Sequence, residues 1–268
     1  MKWMRTLSAL IVAACVTPAA VHYAFAAAEP EAKPGAVASS PRDVPVAHGS
    51  ANRCRTLANW SSGDVSILTT EPVAGGTEVA LPLAGLKVAA PAHCLVRGEI
   101  ARRVGTDGKP YAIGFELRLP DDWNGRFLYQ GGGGYDGFLA PALGGMTGGR
   151  RTALERGFAV VSTDAGHRDP GRPGTQGDYG ADPQARRDFA YNALDRVTTT
   201  AKVLVGRYYA APIRHSYFAG CSGGGRQAML APLVSSLSPW VALCPTLFSE
   251  ITASVCRAII NSSFVGIA

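Results

Sequence analysis

The stretch Tyr217-Phe218-Ala219-Gly220-Cys221-Ser222-Gly223-Gly224 decides the fold. Its last five residues match G-x-S-x-G, the pattern of a nucleophile elbow between a strand and a helix. Such a turn forces the serine into a strained backbone conformation, and the flanking glycines avoid the steric clashes that follow. Apolar residues precede the pattern as in a strand, and Gln227-Ala228-Met229-Leu230 follows it as in a helix. The stretch therefore predicts Ser222 as a nucleophile at the carboxyl edge of a sheet.

Upstream of the elbow, the sequence alternates between strand and helix patterns. A helix is predicted to open at Asp182-Pro183, with proline at its first position, and apolar residues continue at helical spacing to Val205. Because strand, helix and strand follow one another, right-handed crossovers and an α/β fold are expected, with an α/β-hydrolase-like, mostly parallel sheet. The predicted strands are residues 111–119, 126–130, 158–163 and 216–219.

A run of four glycines, Gly131-Gly132-Gly133-Gly134, follows the predicted strand at 126–130. In α/β-hydrolases a glycine-rich loop at this point donates a backbone N–H to the oxyanion, and the residue after the nucleophile donates another. We therefore predict that the backbone N–H groups of Gly133 and Gly223 form an oxyanion hole.

The same glycines allow a second interpretation. Gly132, Gly134 and Gly137 satisfy G-x-G-x-x-G, and Asp164 could serve as the acid of a dinucleotide site. Such a site needs a regular helix directly after the glycines, and Pro141 and further glycine pairs interrupt this one. No nucleotide cofactor is therefore expected.

Asp164 and His167 lie in the loop after the predicted strand at 158–163, where active-site groups often lie. The alternative is that they form local hydrogen bonds within a turn, and this alternative is favoured. His93, beside Cys94, is expected to be structural.

Composition excludes several classes of protein. The chain has 268 residues, of which 47% are hydrophobic and 17% charged, so it is neither disordered nor a coiled coil. The net charge of +6 comes from scattered Lys and Arg rather than a cluster, so no nucleic-acid partner is expected. No Cys/His group has zinc spacing, and no metal site is predicted.

The first residues predict export. Lys2 and Arg5 precede an apolar segment at residues 7–16, and Ala24-Phe25-Ala26 provides a small-x-small cleavage site, so residues 1–26 are interpreted as a signal peptide. A lipoprotein box ending at Cys15 is the alternative, and only then would the chain associate with a membrane. Both interpretations lead to the periplasm or the extracellular space. Residues 27–49, rich in Ala, Pro and Ser, are predicted to be a flexible linker.

Several motifs together resemble the tannase and feruloyl esterase family, over residues 50–229, which are taken as the hydrolase core. They are Cys54-Arg55-Thr56-Leu57, His93-Cys94, residues 130–137, Ser162-Thr163-Asp164-Ala165-Gly166-His167, Asp188-Phe189-Ala190-Tyr191, residues 217–222 and Gly224-Gly225-Arg226-Gln227. Several motifs at consistent spacing are far more specific than G-x-S-x-G alone.

The resemblance implies a secreted serine esterase that cleaves small phenolic-acid esters such as gallates or ferulates. It implies Ser222 as the nucleophile and a disulfide between Cys54 and Cys94. It also implies that Cys221 pairs with a cysteine beside the catalytic histidine. A calcium ion in a lid domain is implied only for a full-length relative.

The sequence departs from the family after the elbow. Acyl transfer in this fold needs an Asp or Glu and then a His after the nucleophile, yet residues 223–268 contain no His, no Asp and one carboxylate, Glu250. Residues 230–268 form an atypical tail, and the partner of Cys221 is missing unless Cys244 or Cys256 takes its place. The hypothesis is a chain truncated or out of frame near Met229, with an incomplete sheet and little activity. A divergent short relative is the alternative, as is a non-catalytic exported protein that binds phenolic or polysaccharide ligands.

Overall fold

The computed structural model describes residues 47–81, 87–145, 151–169, 171–172, 174–234 and 240–243. The predicted signal peptide, the cleavage site, Cys15, most of the predicted linker and most of the tail, with Cys244, Glu250 and Cys256, lie outside the described residues. Helix α1 begins at Ala47, inside the last three residues of the predicted linker.

The two longest strands form an antiparallel hairpin, β5 (His93–Val104) and β6 (Pro110–Pro120). The buried Glu116 in its centre is paired: it accepts hydrogen bonds from the buried Arg118 Nε at 2.7 Å and from the exposed Arg97 Nε at 2.9 Å. A buried charge is tolerated only when it is paired and hydrogen-bonded in this way. The hairpin therefore lies within the sheet although its sequence is not uniformly apolar.

One eight-stranded sheet contains this hairpin, in the order β1-β2-β5-β6-β8-β7-β9-β10. Pairs from β1 to β8 along this order are antiparallel, and β8, β7, β9 and β10 pair in parallel. A separate antiparallel ribbon consists of β3 (Thr77–Ala80) and β4 (Lys87–Ala90). The remaining strands are β1 (Ser61–Ser62), β2 (Val65–Val73), β7 (Arg126–Gln130), β8 (Ala159–Thr163), β9 (His215–Ala219) and β10 (Trp240–Leu243).

The helices are α1 (Ala47–Thr56), α2 (Pro183–Arg187), α3 (Ala193–Tyr209) and α4 (Gly223–Val234). Asp182 caps α2 as expected, because its side chain accepts a hydrogen bond from Ala185 N at 2.7 Å. A π-helical turn, Asp188–Asn192, joins α2 to α3. The sequence pattern had predicted one uninterrupted helix.

Both faces of the sheet are covered. On one face α3 packs through Val197 and Leu204 against Val161 of β8, and on the other Val160 packs against Leu143 and Leu154. Strand β8 is buried at every position, because a central strand of a sheet that is covered on both faces has no solvent-facing side.

The predicted α/β-hydrolase-like fold is confirmed, and its parallel strands lie on the side that carries the elbow. The four predicted strands match β6, β7, β8 and β9 within one or two residues at each end. Strand β10, which falls in the predicted tail, extends the parallel part by pairing Trp240 with Ser216. The search for membrane-spanning segments, made over the described helices, finds none long and apolar enough.

Candidate active site

The elbow forms where the pattern predicted it, between β9 and α4. Ser222 has a φ of 54°, the left-handed region that is unusual for a residue with a side chain, and it is exposed. A Cβ at Gly220 would lie 2.6 Å from the carbonyl oxygen of Gly224, so a side chain there would collide with the first turn of α4. The local backbone thus holds Ser222 at the carboxyl end of a parallel strand, where ligands bind in open α/β sheets.

The glycine loop at residues 131–134 lies directly against this elbow. Gly131 N donates to Ala219 O at 2.8 Å, which fixes the start of the loop beside the end of β9. A Cβ at Gly131 would lie 2.9 Å from the Cα of Gly224, and one at Gly223 would lie 2.8 Å from Gly134 O. The two segments touch through their backbones, and this contact is the physical reason for glycine on both sides.

One loop residue that was predicted to be an oxyanion donor forms a hydrogen bond to a side chain in this structure. Gly133 N, expected as an oxyanion donor, donates to the Asp136 carboxylate at 3.1 Å, and Gly132 N donates to Gln227 Oε1 at 3.0 Å. Among the described residues no hydrogen-bond partner is found for the N–H groups of Gly134 and Gly223. A short side chain that binds its own turn has taken the donor that sequence reasoning assigned to the oxyanion.

Asp136 and Gln227 were missed by sequence reasoning. Asp136 follows the glycines in a left-handed conformation with a φ of 58°, and burial raises the pKa of its carboxyl to about 6. Gln227 Nε2 donates to Asp136 Oδ2 at 2.9 Å. The available signal was the aspartate itself, since Asp and Asn favour left-handed turn positions.

Asp164 forms one hydrogen bond within its own turn, as the favoured alternative expected, and a second one to a distant strand. Its Oδ1 accepts from Gly114 N at 2.8 Å and from Gly166 N at 3.0 Å, and the side chain is buried. Burial raises the pKa of this carboxyl to about 7, although both N–H groups act in the opposite direction. Asp164 therefore holds the loop after β8 to strand β6.

Two histidines are buried away from solvent. His167 stacks on Tyr179 with ring centroids 3.9 Å apart, and burial lowers its pKa. His93 lies 2.6 Å from Pro91 O through Nδ1, and burial lowers its pKa to about 4. The neutral ring of His93 lies 2.9 Å from Arg118 through Nε2, as suits the structural role expected for it.

We expect the substitution Asp164→Asn to change how stability depends on pH. The folded carboxyl titrates near pH 7 and the ordinary one near 3.8, so between these values the folded state binds more protons than the unfolded state. Unfolding free energy of the wild type therefore falls as pH rises through this range, by roughly 4 kcal/mol. Asparagine keeps an acceptor for both N–H groups but does not titrate.

Urea denaturation at pH 4, 6 and 8 measures the effect. The stability of Asp164→Asn relative to wild type should rise with pH, whereas the exposed Asp122→Asn control should give a flat difference. A difference for Asp164→Asn that is constant from pH 4 to 8 would contradict the prediction.

The cysteines divide into one pair and one free thiol among the described residues. Cys54 of α1 and Cys94 of β5 form the disulfide that the family resemblance implied, with Cα atoms 5.4 Å apart. Cys221, half-buried beside the nucleophile, forms no disulfide within the part of the chain that the structure describes.

Aromatic side chains surround the elbow. Tyr135, which follows the glycine loop directly, is 59% exposed, and its ring centroid lies 6.5 Å from that of Phe189 in the π turn. Arg226 of α4 donates to the carbonyl oxygens of Phe189 and Ala190 at 3.1 and 2.9 Å, which fastens the π turn to the elbow helix. Tyr191 in the same turn is also exposed. The site thus opens onto an aromatic surface.

Within the described ranges no group of three or more His, Cys, Asp or Glu residues is arranged to hold a metal ion.

A sequence model of the family described as tannase and feruloyl esterase matches residues 94–232, slightly more than half of the chain. The chain belongs to the tannase and feruloyl esterase family. The matched residues include the glycine loop, Asp136, the elbow and Gln227, so the loop and the elbow both lie within the segment that the family model covers.

Proteins similar to this chain are named as hydrolases or esterases. A mono(2-hydroxyethyl) terephthalate hydrolase of Piscinibacter sakaiensis is 43% identical over 196 residues, which are 70% of this chain and 32% of that protein. A probable feruloyl esterase B-2 of Aspergillus flavus is 33% identical over 165 residues, 60% of this chain and 29% of that protein. The crystal structure of feruloyl esterase B from Aspergillus oryzae superposes with a TM-score of 0.55 at 25% identity, over 68% of this chain and 34% of that one. The chain thus spans about a third of the length of these family members.

Proposed function

We propose that this protein is an exported serine hydrolase of carboxylic esters, with Ser222 as its nucleophile and phenolic or related aromatic acids as the acyl part of its substrates. The observation that carries the proposal is the conformation of Ser222, exposed with a φ of 54° at a strand-to-helix turn and packed against a glycine loop. Strain of this kind at an exposed serine is retained where it serves function. Family membership supports ester hydrolysis as the reaction class.

The oxyanion of the tetrahedral intermediate needs two preorganised N–H donors. Gly223 supplies one, at the amino terminus of α4. The other comes from the glycine loop, where the N–H of Gly134 has no partner among the described residues while those of Gly132 and Gly133 are taken by side chains. We therefore assign Gly134, in place of Gly133, as the second donor.

The aromatic surface beside the elbow supports an aromatic acyl group. Tyr135 adjoins the proposed donor Gly134 and exposes more than half of its side chain. Stacked and edge-on aromatic pairs add about 0.5–1.5 kcal/mol beyond burial of area. The relatives named above act on esters of aromatic acids by their names, a terephthalate and ferulates, and this agrees with the same preference.

Export is supported by the Cys54–Cys94 disulfide, since such bonds persist in oxidising compartments. The basic and apolar pattern of residues 1–26 points the same way. We propose the periplasm or the extracellular space as the location.

The general base is the part of the mechanism that these residues do not supply. Residues 223–268 contain no His and no Asp, and in this fold both partners follow the nucleophile. Without a base the serine hydroxyl stays protonated, and an oxyanion hole with substrate binding accelerates the reaction by about 10³ to 10⁴ over water. We propose that the 268-residue chain by itself turns over slowly.

Hydrolysis of methyl ferulate, methyl gallate and mono(2-hydroxyethyl) terephthalate tests this function. We expect slow cleavage that is lost in Ser222→Ala, is unchanged in the Ser66→Ala control on β2, and increases when imidazole is added as an external base. Cleavage that persists in Ser222→Ala would contradict the nucleophile assignment. Rapid cleavage without imidazole would show that this chain has a base of its own.

A second candidate is a non-catalytic exported protein that binds aromatic ligands at the same surface, where Tyr135 and Tyr191 are exposed. It predicts saturable binding of ferulate, one cooperative unfolding transition and no Ser222-dependent cleavage with or without imidazole. Turnover that needs imidazole and is lost in Ser222→Ala would exclude it.

A further inference from the structure

We propose that Asp136 and Gln227 are positioning residues that hold the glycine loop against the elbow and decide which of its N–H groups faces the nucleophile. The inference rests on the proposed function for its chemical consequence. We call this pair the loop clamp. Neither residue carries a catalytic role in the mechanism above.

The loop clamp consists of three hydrogen bonds in sequence. Gly133 N donates to Asp136 Oδ1 at 3.1 Å, Gln227 Nε2 donates to Asp136 Oδ2 at 2.9 Å, and Gly132 N donates to Gln227 Oε1 at 3.0 Å. Only this orientation of the Gln227 amide pairs each donor with an acceptor. Both side chains are buried, with 6% and 5% of their surface exposed, so an unpaired atom here would not find water.

The loop clamp joins two elements that also meet through backbone contacts, such as the one between Gly223 and Gly134. Gln227 lies on α4, one helical turn beyond Gly223, and Asp136 ends the turn that contains the glycine loop. Asp136 N also donates to Gly133 O at 2.9 Å, which closes this turn on itself. The loop therefore cannot shift relative to α4 without breaking a buried hydrogen bond.

The clamp also selects the donor. Because Gly132 and Gly133 give their N–H groups to the clamp, the N–H of Gly134 is left for the oxyanion. A Cβ at Gly132 would collide with the Asp136 carboxylate, so the loop has room for the clamp only because residue 132 is glycine. Misplacing a donor by about 1 Å is enough to cost roughly a hundredfold in rate.

An isosteric exchange tests the clamp. In Asp136→Asn, two amide NH₂ groups face each other, and in Gln227→Glu, two carboxylates do. In the double variant Asp136→Asn/Gln227→Glu, the introduced asparagine accepts from Gly133 N through its Oδ1 and donates through its Nδ2 to the introduced glutamate, which accepts from Gly132 N. All three hydrogen bonds and the net charge are restored.

Two readouts separate the clamp from the proposed function. The first is the rate at which a fluorophosphonate modifies Ser222 with imidazole present as external base, a reaction in which Oγ bonds to phosphorus, fluoride leaves and the hydroxyl proton passes to imidazole. The second is amide hydrogen exchange at Gly132 and Gly133. We expect each single variant to react about 10- to 100-fold more slowly and to lose protection, and the double variant to recover within about threefold on both measures. Exposed isosteric changes, Asp122→Asn and Gln176→Glu, should leave both readouts unchanged.

The results of these two measurements distinguish failure of the loop clamp from failure of the proposed function. A double variant no better than the slower single variant overturns the clamp, as do single variants that react at the wild-type rate. If Ser222 of the wild type does not react even with imidazole added as external base, the proposed function fails, and recovered protection in the double variant still supports the clamp. Where a single variant does not fold, folding of the double variant gives the same evidence for the restored hydrogen bonds.

Discussion

Replacing Gly224 with alanine is expected to slow the reaction of Ser222 with a fluorophosphonate at least about 100-fold. A Cβ at this position would lie 2.6 Å from Gly132 O and 3.1 Å from the carbonyl carbon of Gly131. These are backbone atoms, so they cannot rotate away as a flexible side chain would. The glycine loop must move off the elbow, which displaces a proposed oxyanion donor, and loss of one such donor costs about 10²- to 10³-fold. Overpacking should also lower the free energy of unfolding by about 1–3 kcal/mol.

The matched control is Gly206→Ala in the last turn of α3, where an added Cβ meets nothing within 4 Å. Because alanine favours the helix over glycine, this change should stabilise the protein by about 0.5–1 kcal/mol and leave the reactivity of Ser222 unchanged. The same substitution is thus expected to destabilise the protein at Gly224 and to stabilise it at Gly206. This difference distinguishes the effect of the close backbone contact from that of helix propensity. If both variants changed the reactivity of Ser222 and the unfolding free energy equally, the backbone contact at Gly224 could not be the cause of the change.

Removing the Cys54–Cys94 disulfide is expected to cost about 4 kcal/mol of stability. The bond closes a loop with a sequence separation of 40 residues, and the chain-entropy relation gives this magnitude for such a loop. The double variant Cys54→Ala/Cys94→Ala avoids burying new hydroxyl groups at positions that are 0% and 1% exposed. Urea denaturation with and without a reductant measures the change.

Cys221→Ala serves as the control, because this half-buried thiol forms no disulfide among the described residues. It should change stability by less than about 1 kcal/mol, and the reductant should not affect the Cys54→Ala/Cys94→Ala variant. Wild-type protein that is equally stable in reductant would contradict the structural importance of the bond.

The strands that could be predicted are those with strong local signals. Strand β8 is a continuous apolar run, and β7 ends at the glycines, so hydrophobicity and turn residues define both. Strand β5 could not be predicted, because Arg97 and Glu99 interrupt its apolar pattern, and each pairs with a residue on another segment of the chain, Glu116 and Arg168. A local sequence pattern does not show which side chains will pair across strands.

The candidate site likewise has one part that the sequence predicts and one part that it does not. The left-handed conformation of Ser222 follows from a local turn, and its motif is sufficient to predict it. The use of the Gly133 N–H by Asp136, and the contact of Gln227 with Asp136 across 91 positions, depend on how the loop docks on α4. No spacing in the sequence encodes that docking, so the donor assignment needed the structure.

The change of sheet direction has a consequence for the order in which the protein folds. The antiparallel half pairs strands that are near neighbours in the chain, such as Cys94 with Leu119, whereas β7 pairs with β9 through Arg126 and His215, 89 positions apart. Loop closure over a longer separation is slower, and residues nearer the amino terminus leave the ribosome first. We therefore expect the hairpin of β5 and β6 to be in place before β9 inserts, so that Ser222 meets its glycine loop in one of the last steps of folding.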